Sequence, residues 1–124
     1  SSAQDITCVP LLEGLLRDDS ITVWIGENDG TALEALRFLR SRKIPVPGGL
    51  SVAGFDDSME SILENLTSYN FNPRLAARRA INFLINPLRQ YDIANESVVK
   101  IEGFVVERKS TCGGRSGDGA FLVK

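Results

Sequence analysis

Two rhythms of apolar residues alternate along this chain. Unbroken runs, ITVWIG at 21–26 and LSVAGF at 50–55, give way to stretches where apolar positions return every three or four residues. The runs predict strands covered on both faces. The longer period predicts helices that bury one stripe. In residues 30–42, Ala32, Leu33, Leu36 and Leu39 share the stripe, and Glu34, Arg37 and Arg40 point away. Residues 9–17, VPLLEGLLR, predict a short helix with Leu11, Leu12, Leu15 and Leu16 on one face, ended by the polar break Asp18-Asp19-Ser20. LTSYNF at 66–71 predicts a third extended run. RLAARRAINFLI at 74–85 predicts a helix with Leu75, Ala76, Ala80, Phe83 and Leu84 inward, stopped by Asn86-Pro87.

The joints are equally readable. Pro45 and Pro47 in KIPVPGG cannot continue a helix, and Gly48-Gly49 permits positive φ. Asp56-Asp57-Ser58 predicts a helix start leading into MESILENL. LRQYDIANE reads as a loop, and SVVKIEGFVVERKS as strand-like with a bulge or break at Gly103. Residues 1–112 form the expected folded unit. Residues 113–124 are expected to be a flexible Gly-rich tail, although the final FLV is able to pair with a strand.

Strands alternating with helices over short joints predict an α/β fold: a mostly parallel sheet flanked by helices in three layers. In such sheets ligands gather at the carboxyl ends of the strands. Each expected strand is followed by a polar cluster, namely Glu27-Asn28-Asp29, Asp56-Asp57-Ser58 and Asn70-Phe71-Asn72. All three are therefore expected along one edge. Every member also has a plainer use. Asp and Asn cap helices, adjacent carboxylates seldom aim at one point, and Phe71 suits core packing. Trp24 and Phe55, lying within strands, are expected in the core.

Composition narrows the chemistry. The chain has 124 residues, 43% of them hydrophobic, and a formal net charge of −2, which fits one soluble globular domain. No apolar run is long enough to span a bilayer, and the opening SSAQDITCVP lacks a signal-peptide pattern. The mildly acidic balance argues against nucleic-acid binding by this segment alone. The cations Arg37, Arg40, Arg42, Lys43 and Arg74, Arg78, Arg79 fit solvated helix faces. There is no His, so neither a hydrolase triad nor an ordinary metal site can be assembled. GGRSGDG lacks the Lys and the following helix of a phosphate loop. Cys8 and Cys112 lack CxxC spacing and are expected to be free thiols in a reducing compartment. No enzyme activity, cofactor or metal is expected.

Four segments in order, END-x2-A-L-x-A-L-x-x-L, IPVPGGLSVAGFDD, LTSYNFNPRLAARRAINFL and FVVERKST, resemble the effector-binding domain of lactose- and galactose-repressor-type transcription regulators. That domain is itself similar to periplasmic sugar-binding proteins, and the ending ERKST favours the regulators. The resemblance covers about residues 9–112, less than half of such a domain. It implies a partial periplasmic-binding-protein-like (type I) fold: the later half of the second lobe, one first-lobe helix at 74–85 and a closing strand. It implies a small, sugar-like effector held by Asp29, with Asn28, Asp56, Asn70 and Phe71 as further contacts. Phe71 departs from the polar residue many relatives carry there. It also implies dimerisation beside Glu34, Arg37, Phe38 and Arg40, although Phe38 could instead pack beside Leu39 within one chain. DNA would be reached only through an N-terminal head outside this chain, in the cytoplasm. A fragment of a periplasmic sugar-binding protein is the nearest alternative. A small flavodoxin- or receiver-like domain is the other, and it would need a Lys or metal beside its acids.

Overall fold

The structure, a computed structural model, describes residues 2–86, 99–113 and 119–122. Its elements in chain order are α1 (Ser2–Leu16), β1 (Ile21–Ile25), α2 (Asp29–Ser41), β2 (Ser51–Phe55), α3 (Met59–Leu63), β3 (Thr67–Asn70), α4 (Pro73–Ile85), β4 (Phe104–Val106) and β5 (Gly119–Leu122). The five strands form one sheet in the order β4-β3-β2-β1-β5. β1, β2 and β3 run parallel, and so does β5 beside β1; β4 is antiparallel to β3.

Strand alternation decides what the sheet buries. Trp24 lies beside Val52, and Gly54 beside Ser68, so these residues share one face. α2 packs there, with α1 and α3 against α2. Among the described residues the core is Leu12 from α1, Trp24, Leu50, Val52 and Leu66 from the sheet region, and the stripe Ala32, Leu33, Ala35, Leu36, Phe38 and Leu39 of α2. Phe38 stacks on Trp24 with ring centroids 6.4 Å apart, and the Arg42 guanidinium lies 5.2 Å over the Phe38 ring. Phe38 therefore serves the chain's own core. An aromatic next to a buried Trp removes more apolar surface there than it would on the outer face.

Several expectations change in detail. α1 begins at Ser2 and runs through Pro10 rather than starting near residue 9. Leu12 is buried and Leu15 and Leu16 pack against the core, but Leu11 stays exposed. α4 forms where its period placed it, yet none of its residues is buried, and Leu84 and Ile85 are each 72% exposed. Of the expected inward residues, Leu75 and Ala76 are half-buried, Ala80 and Leu84 are exposed, and Phe83 is 39% exposed. Among the described residues of the strand-like run 97–110, Phe104–Val106 is strand. Gly103 sits just before it, where an added Cβ would meet the Tyr69 ring, so the break is a close approach. In the expected tail, Gly119–Leu122 is a strand along β1. The loop expected at 88–96 lies outside the described residues, as do 114–118. Cys8 and Cys112 are free. No described helix is long and apolar enough to cross a membrane.

Gly26 and Gly54 both let α2 approach the sheet closely, since a Cβ on Gly26 would lie 2.5 Å from Ala32 N. A Cβ on Gly54 would lie 2.5 Å from Asp29 Oδ1 and 3.1 Å from Ala32 Cβ. Around Gly14, in α1, nothing lies within 4 Å of that position. Gly54→Ala should lower the unfolding free energy by about 1–3 kcal/mol through overpacking. Gly14→Ala should raise it by about 0.5–1 kcal/mol, because alanine loses less backbone entropy in a helix. Urea denaturation of the two variants checks the opposite signs.

Candidate functional site

The parallel order β3-β2-β1 brings the carboxyl ends of three strands together, and with them the three polar clusters. Asn28 caps α2: its backbone is extended, and its Oδ1 accepts from Thr31 N–H at 2.9 Å. Its amide Nδ2 has no partner among the described residues. The capping role that sequence alone allowed to either Asn28 or Asp29 thus falls to Asn28.

Asp29 turns inward and is 2% exposed. Ser68 Oγ donates to its Oδ1 at 2.6 Å, and the Ser58 backbone N–H donates to its Oδ2 at 2.7 Å. One carboxylate thereby joins the start of α2, the start of α3 and the middle of β3. Ser58 in turn caps α3, accepting from Ser61 N–H at 3.2 Å. Ser68 Oγ also accepts from Asp57 N–H at 2.9 Å. With both oxygens engaged and its surface covered, Asp29 positions the loops. It presents no open face to a ligand.

Asp56 and Asp57 have opposite surroundings although they are neighbours. Both have positive φ, 104° and 50°. The Asp56 side chain is exposed and accepts from no described residue, while its backbone N–H donates to Tyr69 O at 3.0 Å. A non-glycine residue near φ 104° carries strain of about 1–3 kcal/mol, which surrounding contacts must hold. Asp57 forms an ion pair with Arg108, and Asn70 Nδ2 donates to its other oxygen at 2.8 Å. The Arg108 hydrogen bond, chiefly, holds the Asp57 carboxyl below its ordinary range; partial burial works against this, and Asn70 and the guanidinium charge assist.

Asn70 is spent within the protein, since its Oδ1 accepts from Asn72 N–H at 2.7 Å. Asn72, with φ 59°, caps α4 through Leu75 N–H. Phe71 is 54% exposed and belongs to a three-ring cluster with Tyr69 and Phe55. Phe55 is therefore half-buried at the rim, outside the core where it was expected. Of the expected effector contacts, Asp56, Phe71 and the amide of Asn28 remain available at the rim, whereas Asp29 and Asn70 are engaged inside the loop network.

Sequence alone placed Ser58 at a helix start without its bond to Asp29, and gave no role to Ser68 or to Arg108 within ERKST. Arg108 donates to Leu66 O at 2.8 Å and to Ser61 Oγ at 3.2 Å as well as to Asp57. Ser110 Oγ donates to Val52 O at 2.6 Å and accepts from Thr67 N–H at 2.8 Å, and Thr111 Oγ1 bonds Thr67 Oγ1 at 2.8 Å. These residues stitch the returning chain to β2 and β3. A cavity of ≈ 50 Å³ lies elsewhere, between α1, α2 and the end of β1, with a nearly all-apolar lining that includes Cys8, Leu12 and Trp24. Trp24 Nε1 is buried without a partner.

Of the expected dimer contacts, Phe38 is buried in the chain's own core. Glu34 is half-buried, Arg37 exposed, and Arg40 paired with Glu64 at 2.6 Å.

Because the Asp57 carboxyl titrates lower in the folded state, the unfolded chain binds more protons in acid. The contribution of the Asp57–Arg108 pair should be complete above the unfolded carboxylate range. It should be lost as pH falls through the lowered folded value. Asp57→Asn should cost about 1.5–3 kcal/mol at pH 7, the scale of a hydrogen bond to a charged group, and flatten this acid limb. Urea midpoints between pH 3 and pH 7 check both.

The profile of the family described as periplasmic binding protein-like domain matches residues 12–111. An HTH-type transcriptional regulator of Mycolicibacterium smegmatis is 36% identical over 84 residues, covering 64% of this chain and 23% of that protein. The structure of a LacI-family transcriptional regulatory protein from Corynebacterium glutamicum superposes with a TM-score of 0.61 at 27% identity, covering 84% of this chain and 40% of that one. A periplasmic binding protein/LacI transcriptional regulator from Alkaliphilus metalliredigens, complexed with D-xylulofuranose, gives a TM-score of 0.59 at 25% identity, over 82% of this chain and 38% of that one. The chain thus spans less than half the length of each of these relatives.

Proposed function

This chain belongs to the periplasmic-binding-protein-like domain family, in the form found in LacI-type transcriptional regulators, and from that premise we propose that it forms one wall of an effector cleft in such a regulator. It acts by binding rather than by catalysis. The effector is a small polyhydroxylated molecule, in keeping with the D-xylulofuranose held by the Alkaliphilus relative. The observation that carries this reading is Asp56: a strained, exposed carboxylate without a described partner, at the carboxyl ends of the strands. A carboxylate there accepts two or more hydrogen bonds, and a polyol offers adjacent hydroxyl donors.

The remaining groups divide by what is free. The Asn28 amide donates to a hydroxyl oxygen, and the Phe71 ring covers a C–H face. Asp29, Asn70 and the Asp57–Arg108 pair hold these loops in position. The opposite wall comes from a segment outside this chain. Closing of the two walls on the effector shifts a two-state equilibrium toward the arrangement that binds it better. DNA contact falls to a separate head, and the outer face of α2 with Glu34, Arg37 and Arg40 serves self-association. The setting is the cytoplasm.

With one wall present, binding should be weak, with Kd on the order of 1 mM, about −4 kcal/mol. Backbone amide shifts of this chain, followed during titration with pentoses and hexoses, should move at Asn28, Asp56 and Phe71. Asp56→Asn should abolish these shifts. Asp56→Gly should also abolish them while raising stability by about 1 kcal/mol, by relieving the positive-φ strain. Undiminished binding by Asp56→Asn, or shifts confined to residues away from the rim, would refute the cleft assignment.

A further inference from the structure

Asp56 states that the ligand carries donors; the rings beside it state more. β2 and β3 pair with Phe55 opposite Tyr69, so these two rings rise from the same face at the carboxyl ends of their strands. Phe71 follows two residues later. Its ring lies 5.0 Å from Tyr69, edge to face at 77°, and 6.0 Å from Phe55 at 27°. Phe55 and Tyr69 are themselves 5.9 Å apart. Both contacts are favoured aromatic geometries, and together they fix the Phe71 ring on two sides. Yet Phe71 remains 54% exposed. A ring held by two others and open to solvent is a preformed stacking surface, with little ordering entropy left to lose on binding.

We propose that this rim selects a polyol bearing a flat unsaturated ring, such as an aryl glycoside or a nucleoside, over the corresponding simple sugar. The inference rests on the cleft reading above and names the class of ligand that the cleft takes. A saturated sugar ring offers the Phe71 face only C–H contacts. A flat π system overlaps it across the whole ring while its hydroxyls reach Asp56.

The test titrates this chain with matched pairs, methyl against phenyl β-glucoside and ribose against uridine and adenosine. The readouts are amide shifts of the protein and ring-proton shifts of the ligand. The ring-bearing member of a pair should bind about tenfold tighter, the scale of a single base–aromatic stacking contact. Its ring protons should move upfield. Phe71→Leu, which keeps apolar bulk but no flat ring, should remove that advantage and the upfield shift, so that both members of a pair bind with the same, weaker affinity. A dispersed amide spectrum like that of the unsubstituted chain shows that the variant is folded. A gain for phenyl glucoside alone or for nucleosides alone identifies which kind of ring is accepted, and either supports the proposal. Equal affinities within both pairs, or an advantage that survives Phe71→Leu, would overturn it while leaving the cleft reading intact. Absence of binding by every compound would overturn both.

Discussion

The Asp29 carboxylate is the constraint on which the rim depends. A buried charge is tolerated only when its lone pairs are satisfied, and here the donors are Ser58 N–H and Ser68 Oγ from two other elements. Its place in the first turn of α2 adds a favourable helix dipole. Meeting those conditions brings the start of α3 and the side of β3 to the head of α2. Gly54 follows from the same demand, because any side chain there would occupy the space of Asp29 Oδ1. Loop positions that are far apart in sequence are thereby fixed by one hydrogen-bonded centre.

The returning chain secures the other side of this arrangement. Ser110 and Thr111 satisfy backbone and hydroxyl groups of β2 and β3, and Arg108 reaches from there to Asp57. Asp57 is thus held, and its neighbour Asp56 is left in a strained and exposed conformation. The two adjacent carboxylates separate into a structural group and a free one. That division is what gives the rim an unspent acceptor. Any motion of the returning chain would act on the same loop through Arg108, since the guanidinium is common to both.

A further consequence lies in α4. Its sequence carries an apolar stripe of ordinary helical period, yet no residue of it is buried. The helix begins where Asn72 caps it, directly after the Phe71 rim. The rim and this exposed helix therefore lie one after the other in the chain.

The sequence by itself determined the elements β1, α2, β2 and β3, because their apolar periods are uninterrupted and their ends carry caps or prolines. It also determined that three polar clusters share an edge, since parallel strands joined by short crossovers leave no other arrangement. It could not decide which polar residue faces solvent. Asn28 and Asp29 are adjacent and chemically alike as caps, and so are Asp56 and Asp57 as acceptors. Only packing assigned one of each pair inward, through donors from Ser58, Ser68, Asn70 and Arg108 that lie up to 51 residues away in the chain. Phe38 and Phe71 show the same limit. Their period and composition fit core or surface equally, and the neighbouring rings of Trp24 in one case and Tyr69 in the other settled the outcome. Hydrophobic periodicity is a local property and can be read along the chain, whereas satisfaction of a buried polar group or the pairing of two rings is fixed only when distant segments meet.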